Sequence, residues 1–240
     1  MYKKLGIGLV VSLCLQAAAA EETEGPWNGE GELGFIQTDG NSETQSLTTK
    51  LAVGYKRFLW EHMLNLDALR AEDEIQMTAE SYGLKWQSDY HFTADGKSSL
   101  FGKFRYEDDR FSGYDYQTSA IVGYGYKVFY TAPTLLKLEA GIGVGKSPLQ
   151  TDVKADDEEM IGYLGLNFSH EIGDNSVFTQ KIRTEGGSEN IHTESETGFQ
   201  VNVMKHLAMK LSLSIKNNSQ VPADTEKTDT ITGVTLVYRF

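Results

Sequence analysis

Between residues 81 and 92 the chain reads Ser81-Tyr82-Gly83-Leu84-Lys85-Trp86-Gln87-Ser88-Asp89-Tyr90-His91-Phe92. In an extended backbone successive side chains point to opposite faces. Tyr82, Leu84, Trp86, Tyr90 and Phe92 then share one face, and Lys85, Gln87, Asp89 and His91 share the other. Such alternation predicts a strand with one apolar and one ionic side. Two aromatic residues sit at its end, and a tyrosine stands at its start.

Outward from this segment the same period recurs, giving twelve strands in all. The clearest are 119–128, with Val122, Tyr124 and Tyr126 opposite Lys127, and 136–144, with Leu138 and Ile142 opposite Lys137 and Glu139. Leu207 to Lys216 and Val234 to Phe240 repeat the pattern, as does Trp27 to Thr38, with Leu33 and Phe35 opposite Glu30 and Glu32. Residues 64–68 and 176–185 alternate weakly, and the second of these has only Phe178 and Ile182 on its apolar side.

Alternating strands build either a soluble barrel, apolar inside, or a membrane barrel, apolar outside with a polar lumen. Three features favour the membrane form. Aromatic residues lie at segment ends. With an even strand number and both termini periplasmic, Trp27, Tyr55, Tyr90, Phe92, Tyr126, Phe168, Phe178, Tyr238 and Phe240 fall at one rim, and Phe35, Tyr82 and Tyr106 at the other. That is the girdle expected at headgroup level. Connections also alternate. Short ones at 56–61, 93–97, 130–134, 172–175 and 204–206 carry four basic and three acidic residues. Longer ones at 39–43, 72–77, 107–115, 146–159, 185–196 and 217–229 carry 21 acidic and four basic residues. Finally, the sequence given ends on Tyr238-Arg239-Phe240, the pattern by which a terminal strand is expected to address barrel-assembly machinery, with Tyr238 and Phe240 as the signal.

The N-terminus predicts export. Lys3 and Lys4 precede an apolar run from Leu5 to Leu15, and Ala17 to Ala20 supply a small-residue cleavage site. Residues 1–20 are thus expected to be a signal peptide and 21–240 one outer-membrane β-barrel domain. The apolar run is shorter than the roughly 20 residues a spanning helix needs. Cys14 lies within it, so the mature chain would hold no cysteine. Removing Lys3 and Lys4 from the 22 basic residues leaves 20 against 34 acidic, a formal charge of −14. Without a basic stripe, nucleic acid is excluded as a partner. Outer-membrane lipid and lipopolysaccharide are the expected surroundings.

Trp27-Asn28-Gly29-Glu30-Gly31-Glu32-Leu33-Gly34, the turn Thr38-Asp39-Gly40-Asn41-Ser42, the even strand spacing and Tyr238-Arg239-Phe240 together resemble the salt-induced outer-membrane protein (YdiY-like) family. The resemblance spans residues 21–240. It implies an outer-membrane barrel of unknown function and brings no substrate, cofactor or catalytic residue.

Catalysis finds little support in the residues. His62, His91, His170, His192 and His206 lack metal-ligand spacing. Ser169 and His170 pair a nucleophile type with a base type, but neighbours on a strand face opposite ways. Asp108-Asp109 and Asp156-Asp157-Glu158-Glu159 offer oxygen ligands for a divalent cation, yet read first as solvated loop charge. No cofactor is expected. The informative set is the ionic face of the strands. Lys50, Lys85, Lys103, Arg105, Lys137, Glu139, Lys181, Arg183 and Arg239 should line the lumen. Mixed signs point to a filled or very narrow interior, although a ring of charges could also set ion preference in a pore. The expected role is structural or stress-adaptive in the envelope, with a narrow pore for small solutes as its transport form. An outer-membrane barrel enzyme acting on lipid or peptide, and a soluble secreted β-barrel binding an apolar ligand, are the alternatives.

Overall fold

The computed structural model describes residues 25–39, 44–72, 77–93, 95–110, 112–149, 158–188, 190–222 and 225–240; the side chains of 35–39, 44–46, 72 and 77–79 are outside this description. The expected signal peptide, the Gly40-Asn41-Ser42 turn, Asp156-Asp157 and the Phe35 ring therefore lie outside the described set.

Twelve strands follow one another: β1 (Trp27–Asp39), β2 (Thr44–Arg57), β3 (Trp60–Glu72), β4 (Met77–His91), β5 (Ser98–Asp109), β6 (Gln117–Thr131), β7 (Thr134–Lys146), β8 (Glu159–Ile172), β9 (Ser176–Gly186), β10 (Ile191–Met204), β11 (Leu207–Asn218) and β12 (Thr228–Arg239). Each pairs antiparallel with its sequence neighbours, and β12 returns to β1, so the sheet closes. Closure removes the unpaired edge that lipid could not satisfy. At the seam Leu33 faces Leu236. Beyond it, Gly29 and Phe240 exchange backbone hydrogen bonds of 2.8 and 2.9 Å. The Phe240 ring lies over Gly29, in space a Cβ would need.

Polarity is inverted relative to a soluble core. Trp86, Leu138, Leu213 and Leu236 face outward and are exposed, as are Val122, Ile142 and Leu164. Arg105, Glu107, Lys127, Glu139, Glu185, Glu194 and Lys210 are buried. In water such a continuous apolar band would be an aggregation liability; in acyl chains it is the solvated surface. The soluble-barrel alternative requires the reverse arrangement.

Connections at the end carrying both termini run from two to six residues, and those at the other end from four to twelve. Ring contacts cluster at the short-turn rim: Trp27 with Tyr55 (4.6 Å between centroids), Trp60 with Tyr90 (5.0 Å), and Phe168 with Phe178 (6.2 Å). Tyr106 stacks on Tyr116 at the opposite rim.

Two readings of the sequence need correction. The loop drawn at 185–196 shrinks to 187–190, because β9 continues to Gly186 and β10 starts at Ile191. Glu185, Glu194 and Glu196 are therefore strand residues turned into the lumen, as is Glu107 on β5. The alternation places Glu107, Glu185 and Glu196 on the lumen face even though they fall inside the loop bounds; Glu194 alone reads only as loop charge, and its inward position is the correction. The interior is also not wholly polar. Phe101, Ile121, Ile161 and Tyr163 form a buried apolar cluster inside the barrel, against the β5–β8 wall. The Phe101 and Tyr163 rings meet edge-on at 5.8 Å. Gly123 makes room for them: a Cβ there would stand 2.5 Å from the Phe101 ring and 2.3 Å from the Ala140 carbonyl.

Candidate functional site

Strand alternation concentrates ionisable groups in the lumen, and among the described residues its contents fall into three zones. Beside the apolar cluster, Lys103 on β5 reaches Glu139 on β7 at 2.5 Å. It also contacts the Tyr163 hydroxyl, with its ammonium 4.3 Å above the Tyr163 ring centre. Lys137 bridges Asp89 at 2.7 Å and Glu139 at 2.8 Å. Gln87 donates to Asp89 and Glu139, and Ser99 donates to Asp89. Every carboxylate here is matched, as burial demands.

Toward the long-loop end, ion pairs cross the lumen. Lys85 on β4 meets Glu194 on β10 at 3.3 Å. Lys216 on β11 meets Glu107 on β5 at 2.5 Å. Arg105 on β5 donates to Glu185 on β9 at 2.9 Å. Arg183 joins the layer through Glu185 at 2.8 Å and through Glu194. His192 sits directly above, with Nδ1 2.9 Å from Asn218 Oδ1. Over this layer the outer loops pack together: the Tyr114 hydroxyl donates to the Gln220 carbonyl, and the Asp115 amide to the Pro148 carbonyl at 2.9 Å. Burial pushes the Tyr114 phenol up to about 12.

Below the layer, toward the short turns, lies a cavity of about 740 Å³. Lys210 pairs there with Glu32 at 3.0 Å and Glu196 at 3.1 Å, and Lys50 approaches Glu196 at 3.8 Å. Near the termini Arg239 pairs with Glu30 at 3.2 Å and donates to Asn202.

Of the residues singled out from sequence, Lys50, Lys85, Lys103, Arg105, Lys181, Arg183 and Arg239 line this cavity. Lys137 and Glu139 belong to the packed zone beside it. Sequence reading missed His192, Glu194 and the inward Phe101, Ile121, Ile161 and Tyr163. The run Gly123, Gly125, Gly141, Gly143 on facing strands was the available sign that something bulky needed space. Ser169 and His170 do not come together. His170 stacks beside Phe168 and its Nδ1 lies 2.9 Å from the Thr134 hydroxyl. Among the described residues, no group of three His, Cys, Asp or Glu could hold a metal ion.

With this geometry in place, comparison with known proteins is informative. The family described as "Protein of unknown function, DUF481" matches residues 31–240. The chain belongs to the DUF481 family. A relative in Escherichia coli K12, the uncharacterized protein YdiY, is 26% identical over 215 residues, covering 89% of this chain and 83% of YdiY. The resemblance carried by Trp27–Gly34 and by the terminal strand is thus to a group that includes a real relative. Among solved structures, this DUF481 barrel is similar to the NanC porin, with TM-score 0.59, 10% identity, and coverage of 87% of this chain and 98% of that one. It is also similar to outer membrane phospholipase A from E. coli, with TM-score 0.56, 10% identity, and coverage of 87% and 95%. At such identities the likeness is one of fold, and the shared fold is the outer-membrane barrel.

Proposed function

We propose that this DUF481 protein is a structural or stress-adaptation component of the outer membrane, with its short turns in the periplasm and its lumen held shut toward the outside. The observation that carries this reading is the layer formed by Lys85–Glu194, Lys216–Glu107 and Arg105–Glu185, which ties opposite walls together. Ion pairs in a low-dielectric lumen are strong only when well matched, and these carry further hydrogen bonds. Passage of small solutes requires the layer to part, so any transport is narrow and slow.

On this reading the apolar band contacts outer-membrane lipid and lipopolysaccharide, the strand bearing Tyr238 and Phe240 is what barrel-assembly machinery reads, and the barrel performs no catalysis. Planar-bilayer recording tests the closed lumen. Folded wild-type protein, verified by heat-dependent gel mobility, is expected to insert without steady conductance steps. Uniform, sustained steps at low voltage would overturn it. Phospholipid or peptide hydrolysis by the purified barrel would overturn the non-catalytic part.

A further inference from the structure

The cavity beneath the ion-pair layer has a charge bias opposite to that of the whole protein. The chain carries a formal charge of −12. The cavity wall presents nine Lys or Arg against seven Asp or Glu. More telling is which sign reaches the open space. The side chains of Glu32, Glu107, Glu185 and Glu194 are at most 10% exposed, folded back into the wall by their partners. Those of Lys50, Lys85 and Arg239 are 36%, 34% and 41% exposed, against 31% for Glu30 and 19% for Glu196. Lys181 is exposed as well, and among the described residues it has no ion pair of its own. It stands directly across β9–β10 from Glu196. Glu196 already pairs with Lys210 and Lys50, so three ammonium groups gather around one carboxylate. An independent observation concerns Ser119. It is only 3% exposed, lines the same cavity beside Arg105, and its hydroxyl has no protein hydrogen-bond partner among the described residues. Buried polar groups of this kind ordinarily have a partner.

We infer that this chamber binds a small oxyanion, a carboxylate or a phosphate, entering from the short-turn end. Lys50 and Lys181 are the principal contacts, Lys85 is a further one, and the covered Ser119 hydroxyl is a donor that rotation about its Cα–Cβ bond would present to the chamber. Among the described residues Lys181 has no carboxylate of its own, and Lys50, 3.8 Å from Glu196, shares it with Lys210; ammonium groups so placed form charge-assisted hydrogen bonds with such oxygens. On the closed-lumen reading the ion-pair layer ends the chamber on one side, and Arg239 and Glu30 line it near the short turns. The inference rests on the closed-lumen reading for its route of entry alone; binding itself is independent of conductance.

Isothermal titration calorimetry of the folded, detergent-solubilised barrel at low ionic strength tests it. Inorganic phosphate and glucuronate serve as the phosphate and carboxylate probes, and choline as a cation control. Saturable binding of at least one anion is expected at an affinity on the order of millimolar, with no binding of choline. Which anion binds tells phosphate from carboxylate chemistry. Lys50→Gln with Lys181→Gln should weaken binding about tenfold or more, as the loss of two charge-assisted contacts implies. If that double variant does not fold, Lys181→Gln alone, which breaks no ion pair, should still weaken binding severalfold while keeping heat-dependent mobility. Lack of saturable binding by either anion, equal binding of choline, or undiminished affinity in the Lys181 variant would each overturn the inference. A conducting wild-type barrel that still binds the anion would overturn only the closed lumen.

Discussion

Lys85 and Glu194 meet at 3.3 Å although their strands, β4 and β10, stand on opposite sides of the twelve-strand ring. Glu194 simultaneously holds Arg183. Glu194→Gln removes the charge that both cations share and leaves Arg183 with Glu185 at 2.8 Å and Glu107 at 3.8 Å. Breaking a buried pair from one side costs about 3–5 kcal/mol. The variant is expected to lose its heat-dependent mobility at a lower temperature than wild type and to show conductance steps in planar bilayers. An unchanged midpoint with a silent barrel would show that this contact neither stiffens nor seals the lumen.

Phe101 fills the space left by Gly123 and packs edge-on to Tyr163. Phe101→Ala should therefore open a cavity in the drier half of the lumen. A loss of about 3–5 kcal/mol is expected, read as a shift in urea unfolding of the vesicle-folded barrel. Ile121 and Tyr163 of the same cluster also line the polar cavity, so the new space is expected to open toward that chamber.

Leu138 and Glu139 are adjacent and face opposite media, the first exposed on the outside and the second buried at 4%. Leu138→Arg places a cation in acyl chains and should cost about 2–4 kcal/mol near the bilayer midplane. Measured in lipid vesicles by reversible urea unfolding, no penalty would argue that this face is wet.

The Tyr114 phenol rises from its ordinary 10.0 to about 12 through burial among the outer loops. Below pH 10 the phenol is neutral whether or not the loops are packed, and its contribution is complete. As the pH climbs from about 10 to 12, the unpacked form ionises first, so loop packing loses stability through that window. Alkaline absorbance titration should show one tyrosine transition near pH 12 that disappears in Tyr114→Phe. Gly113, at φ +81° and against Pro222, supports the same loop.

Strand existence was legible wherever a single face met lipid. Leu84-Lys85-Trp86-Gln87 admits one extended register, and the structure adopts it. The reading weakened on β9 and β10 for a definable reason. There the outward side chains are Gln180, Thr184, Thr193, Ser195 and Thr197, which hydrogen-bond one another across the strand pair, Gln180 to Ser195 at 2.9 Å and Thr184 to Thr193 at 3.2 Å. With both faces polar at the start of β10, alternation marks the strand only from Glu196 onward, opposite Phe199 and Val201, and Glu194 looks like loop charge. The inward Phe101 was hidden because it follows Leu100, so two adjacent apolar residues conceal which one turns in. Cross-lumen partners were beyond reach altogether. Lys85 and Glu194 are 109 residues apart, and which strands face each other depends on ring size and stagger, which no local pattern encodes.

A thin-walled tube resists pressure along its wall far better than pressure that would flatten it. Contacts such as Lys216–Glu107, joining opposite staves, act as cross-braces against ovalisation by the lateral pressure of the surrounding bilayer. The closed ring of twelve strands sets the girth of the barrel, and these charged braces add stiffness across it.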